Sequence, residues 1–126
     1  MTDRQTNIPG PDHPIIITPT DGQVVVTLNG RMVADTRRAL TLKESTYPAV
    51  QYIPLADVDP ELLAASDHTT WCPYKGEASY YSLPIGGARS VNAIWSYRQP
   101  HDAVAAIKDH VAFYPDRIDA IEVQPA

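Results

Sequence analysis

Apolar side chains in this chain recur mainly at every second position, in short runs broken by proline, glycine and asparagine. Ile15 to Thr18 and Gln23 to Leu28 are rich in β-branched residues and read as strands. Asn29-Gly30 separates the second run from Arg31-Met32-Val33-Ala34, a hairpin signal because a type I′ turn needs two positive φ angles. In RRALTLKE (37–44), period two puts Arg38, Leu40, Leu42 and Glu44 on one face. With both leucines inward, Glu44 points inward as well, at the end of the strand. Val50 and Tyr52 share a face of another short strand, which Pro54 stops. DVDPELLAAS (57–66) predicts a short helix: Asp59 caps it, Pro60 suits its first position, and Glu61 suits its positive end. Tyr80–Leu83 and Arg89–Tyr97 read as strands around a Gly86-Gly87 hairpin, with Val91, Ala93, Trp95 and Tyr97 on one face. DAVAAIKDH (102–110) predicts a second short helix, and Val111–Phe113 and Asp119–Val123 two closing strands. Residues 1–13, polar with Pro and Gly, read as an N-terminal arm to a single domain over 14–126. Many short strands with two small helices imply a mostly-β domain, sandwich or open barrel.

Composition narrows the partners. A length of 126 residues fits one domain able to bury its own core. Net charge −5 disfavours nucleic acid and anionic membrane surfaces, which attract basic proteins. No apolar run is long enough to span a bilayer, and MTDRQTNIPGPDHP lacks the apolar segment of a signal peptide. A lone cysteine can form no internal disulfide. A soluble, cytoplasmic protein is the expectation.

The densest chemistry lies in TTWCPYKGEASYY (69–81). A structural zinc site wants four paired Cys or His ligands, whereas Cys72 is alone and His13, His68, His101 and His110 are scattered. The expectation is no metal and no cofactor. Cys72 could be a nucleophile, with Lys75 three residues on and His68 four back, or a small buried side chain in a pocket wall. Pro73 holds Cys72 extended and Gly76 permits a sharp bend, so Trp71–Gly76 reads as a fixed loop. Asp57-Val58-Asp59 has the look of a magnesium-holding carboxylate pair, but helix capping by Asp59 and a strand end at Asp57 account for it. No glycine loop of the phosphate-cradling kind is present. Arg37-Arg38 are expected to pair with Glu44 or Asp35.

Tyr52, Tyr80, Trp95 and Tyr97 carry polar tips that need partners if buried. With Glu44, Lys75 and Cys72 they are expected to line a polar-aromatic pocket between two sheets, in which Glu44 and Lys75 meet and orient a small polar molecule. An enzyme using Glu44 or Cys72 with Lys75, or a purely structural or interaction module without a concave site, are the alternatives.

"HPI" (13–15), "NGRMVADTRRALTLKE" (29–44), "YIPLADV" (52–58), "CPYKGEASYY" (72–81), "AIWSYRQP" (93–100) and "VAFYPDRID" (111–119) together resemble a bacterial family catalogued as domain of unknown function 427. The family sometimes bears a nucleotidyltransferase label, which the residues above support little. The resemblance implies a β-tent: two small antiparallel sheets at an angle, as in methionine sulfoxide reductase B and the drug-binding domain of cereblon. Many β-tents hold zinc on two Cys-x-x-Cys pairs. This chain has one Cys, so the resemblance does not carry zinc over, nor the reductase's Arg-x-Cys-x-Asn chemistry.

Overall fold

The β-branched runs become strands whose alternate residues are buried. In the computed structural model, which describes residues 4–125, β1 is Ile15–Pro19, β2 Gln23–Leu28, β3 Arg31–Thr36, β4 Leu40–Glu44 and β5 Val50–Pro54. β6 is Ala64–Cys72, β7 Gly76–Ser82, β8 Ile94–Ser96, β9 His110–Phe113 and β10 Ala120–Gln124. They form two antiparallel sheets, one of seven strands in the order β1-β4-β5-β9-β8-β7-β6, the other of three in the order β10-β2-β3. The fold is mostly β, as expected. Asn29 and Gly30 both have positive φ in the tight β2–β3 turn.

The large sheet is buried on two faces, and β5, β7, β8 and β9 feed both. Ile53, Ile94, Val111 and Phe113 point to one face and join Val24, Val26, Leu28 and Val33 of the small sheet in an aliphatic core. Tyr52 and Ala112, their immediate chain neighbours, point the other way, with Leu42, Ala78, Tyr80 and Tyr97. Part of this second face is covered by Val104 and Ile107.

The two predicted short helices are present as 3₁₀ turns, the first much shorter than its predicted span. In the first of them Pro60–Leu62 makes a 3₁₀ turn, with the Asp59 carboxylate accepting from Glu61 N–H as a cap should. From Ala64 the chain is extended, because it pairs with β7 over a long hairpin. Asp102–Ile107 is also 3₁₀ rather than α-helical. The strand expected over 89–97 shrinks to β8, and Gly86-Gly87 make no hairpin: Pro84–Ser90 coils into 3₁₀ turns. A Cβ on Gly86 would fall 1.9 Å from Ser90 Oγ, so this coil requires glycine there. Ala93 therefore packs in the aliphatic core and Val91 faces solvent, while Trp95 and Tyr97 do share the second face.

Residues 1–3 of the expected arm lie outside the described residues; from Arg4 on it lies against the β6–β7 hairpin. Asn7 N–H donates to Pro73 O, Trp71 Nε1–H donates to Gln5 O, and the Arg4 guanidinium sits over the Trp71 ring. Among the described residues no helix is long and apolar enough to cross a membrane.

Candidate functional site

β4 ends where period two requires, with Glu44 on the same face as Leu42. Across the sheet, the β6–β7 hairpin turns at Pro73-Tyr74-Lys75, and Gly76 takes φ 114°, a left-handed value only glycine adopts readily. This turn sends Lys75 back over the second face, where it is 8 % exposed. Its ammonium donates to Glu44 Oε1 and lies 3.7 Å from Cys72 Sγ. His13 Nε2 stands 2.7 Å from the other carboxylate oxygen, Oε2, and its ring stacks on Tyr74 at 4.0 Å. Burial pushes the Glu44 carboxyl up, but hydrogen bonds and charge from Lys75 and His13 outweigh it, leaving the group below its ordinary value.

Beside this ion pair opens a cleft of about 290 Å³, lined by Glu44, Lys75, Tyr52, Tyr80, Trp95 and Tyr97, together with Leu42, Tyr47, Pro48, Val50, Thr70 and Tyr114. Trp95 Nε1–H donates to the Tyr52 hydroxyl at 3.2 Å, holding the two rings edge to face. The Tyr80 hydroxyl is 2.9 Å from Thr70 Oγ1 and 3.4 Å from the Tyr114 hydroxyl. Burial pushes the Tyr52 and Tyr97 phenols far up, and burial with the Tyr80 hydrogen bond takes Tyr114 to about 12, so all remain O–H at neutral pH.

Three placements differ from expectation. The cleft is not between the sheets: its apolar lining belongs to the second cluster, on the face turned away from the small sheet. Strand alternation is the reason, since the residues shared with the small sheet are the intervening Ile53, Ile94 and Val111. Cys72 lies behind Lys75, half-buried among the second cluster, and not on the cleft surface. The arginines do not reach Glu44: Arg38 pairs with Asp57 at 3.1 Å, and Arg37 Nη2 reaches the Gln23 amide oxygen at 3.5 Å. His68, the base considered for Cys72, sits on β6 against the Tyr80 ring.

Thr70, Tyr114 and His13 escaped sequence reasoning. A usable signal existed for His13, because the alternation of Ile17 and Ile15 extends to it, and Ile15 pairs directly with Glu44. Asp57 and Asp59 are both engaged, Asp57 by the Thr36 hydroxyl at 2.6 Å and by Arg38, Asp59 by its cap. The Thr36 hydrogen bond leads in holding the Asp57 carboxyl below its ordinary value, with Arg38 adding to it.

The family model described as a domain of unknown function, DUF427, matches residues 16–124. The chain belongs to this family. Both the Glu44 strand and the Lys75 turn fall within the matched span. No curated protein matches the chain.

Proposed function

We propose that this protein binds a small polar molecule in the cleft on the outer face of its large sheet. One observation carries the reading: the Glu44–Lys75 ion pair is withdrawn from solvent into the wall of an aromatic cleft. For stability alone such a pair has little to recommend it, since apolar residues of similar volume would hold the fold at least as well. At the mouth of a concave site it supplies oriented donors and acceptors to a ligand that the rings enclose. The test is a thermal-shift screen of polar metabolites, with hits titrated calorimetrically against wild type, Glu44→Gln and Lys75→Met. Loss of binding in both variants, with the fold retained, is expected; hits held equally by all three proteins would refute the assignment. The same reading leaves nucleic acid out of the partners, on the strength of the −5 net charge, and puts the protein in the cytoplasm.

An enzymatic reading has the contact between Cys72 Sγ and the Lys75 ammonium in its favour, since a cation beside a thiol stabilises thiolate. Lys75 is, however, a proton donor already engaged by Glu44. If Cys72 is dispensable, Cys72→Ser keeps ligand affinity within about twofold, whereas abolishing a hydrogen bond costs roughly tenfold. Conversion of a screened ligand that stops in Cys72→Ser would establish the enzyme.

A further inference from the structure

The hydrogen bonds of the cleft are unevenly satisfied, and the imbalance is on the donor side. Each Glu44 oxygen already accepts one hydrogen bond, from Lys75 and from His13. The Lys75 ammonium has three N–H groups, and its neighbours are Glu44 Oε1 and Cys72 Sγ, which leaves one for the cleft. Tyr52 accepts from Trp95, but its own O–H has no acceptor among the described residues. Tyr97 is the clearest case: it is 7 % exposed, lines the cleft, and its hydroxyl has no hydrogen-bond partner among the described residues. The ring is buried but the hydroxyl is open to the cleft, since it is not among the side-chain atoms sealed from solvent without a partner, so water or a ligand acceptor can meet it there.

A second feature adjoins the first. An apolar groove of about 640 Å³ runs on from the cleft and shares Tyr47, Pro48, Val50 and Trp95 with it. Beyond Trp95 it passes over the seam between the sheets, lined by Phe113, Pro115, Ala120, Ile121 and Val123. The cleft wall is polar at the Glu44–Lys75 end and apolar at this end, so one elongated molecule could occupy both.

We propose that the ligand of this site is an amphiphilic acyl compound: its carbonyl or carboxylate oxygen accepts from Tyr97, Tyr52 and Lys75, and its hydrocarbon body lies in the groove past Trp95. The proposal rests on the binding reading above and gives it a ligand class. Carboxylate and neutral carbonyl share the acceptor oxygen, and the probes separate them. Octanoate, octanamide, butanoate and octylamine are titrated calorimetrically into the 126-residue chain. Octanoate or octanamide should bind saturably, and octylamine, which brings donors to a site of donors, should bind at least tenfold more weakly. Octanoate stronger than octanamide identifies a carboxylate ligand, and the reverse a neutral carbonyl. Octanoate should exceed butanoate by on the order of threefold per methylene buried. Tyr97→Phe should weaken the head-group interaction roughly tenfold for both acids, as expected for one lost hydrogen bond. Val123→Asp, on the half-exposed edge of β10, should remove the chain-length gain and leave butanoate unchanged. Octylamine binding as tightly as octanoate, or no saturable binding of either acyl probe to millimolar concentration, overturns the proposal. Binding that needs Lys75 but ignores chain length and Tyr97 also overturns it, while leaving the cleft's role in binding intact.

Discussion

The two faces of the seven-stranded sheet are built from the same strands and could hardly be more different. Toward the small sheet stand Ile53, Ile94, Val111 and Phe113, aliphatic or apolar and fully enclosed. On the opposite face, one residue along in β5 and β8, stand Tyr52 and Trp95, with Tyr80, Tyr97, Glu44 and Lys75 around them. The first face has few polar tips, and the buried one on β8, the Ser96 hydroxyl, is satisfied by His110 O. The second has several, some answered by protein and some left open to a cleft. Aliphatic packing and polar-aromatic chemistry are thereby separated across the thickness of a single sheet.

Substitutions should reveal that separation in order of size. On the dry face, Ile53→Ala leaves a cavity that the small sheet cannot close, and should cost about 2–5 kcal/mol in urea denaturation. A loss below about 1 kcal/mol would mean that the sheets are loosely joined and the contrast is false.

Lys75→Met comes next, at about 1–3 kcal/mol near neutral pH, because it leaves Glu44 desolvated with His13 alone. Its pH signature is sharper than its size. The folded Glu44 carboxyl lies below its usual value near 4.5, so the stability it contributes is complete above that pH and is lost as pH falls through the folded value. In Lys75→Met, burial acts against one fewer counter-charge, so the loss begins at higher pH. In Glu44→Gln the acid limb flattens. A wild-type acid limb unchanged by both substitutions would show that the pair is not coupled to folding.

Asp59→Ala should cost about 0.5–2 kcal/mol, the usual worth of a capping carboxylate. Asp57 and Asp59 are assigned here to the joint between the sheets, where Asp59 N–H also donates to Val33 O. Magnesium-dependent nucleotide affinity, lost in Asp57→Ala at unchanged stability, would give the nucleotidyltransferase label physical content.

The smallest effect is the most diagnostic of the second face. Tyr97→Phe should alter stability by less than about 0.5 kcal/mol, since its hydroxyl has no partner to lose among the described residues, whereas Tyr80→Phe, which deprives Thr70, should cost about 1 kcal/mol. Equal losses at the two positions in chemical denaturation would mean that both hydroxyls are structural.

The strand pattern was legible where alternation was strong. β2, β3, β4 and β9 lie close to where periodicity puts them, and the inward aim of Glu44 follows from Leu40 and Leu42 without any tertiary information. β6 was not legible, because Ala64 to Thr70 is polar and lacks an alternating apolar face; it is extended only because β7 supplies its hydrogen bonds. The coil of Pro84–Ser90 was hidden for a similar reason: what fixes it is Ser90 Oγ donating to Arg117 O, across 27 residues of chain.

Local chemistry in the chain thus determined which residues were inward on each strand, that Gly76 allows the bend after Lys75, and that Asp59 caps a turn. Tertiary structure alone decided which side of the sheet received the aromatic residues. It also brought His13 to Glu44 over 31 residues, moved Cys72 behind Lys75, and left the Tyr97 hydroxyl without a partner among the described residues. The physical reason is that periodicity specifies a face but not its neighbour: whether a face becomes core or cleft depends on what the topology lays over it, and here the small sheet covers one side while short 3₁₀ turns cover only part of the other.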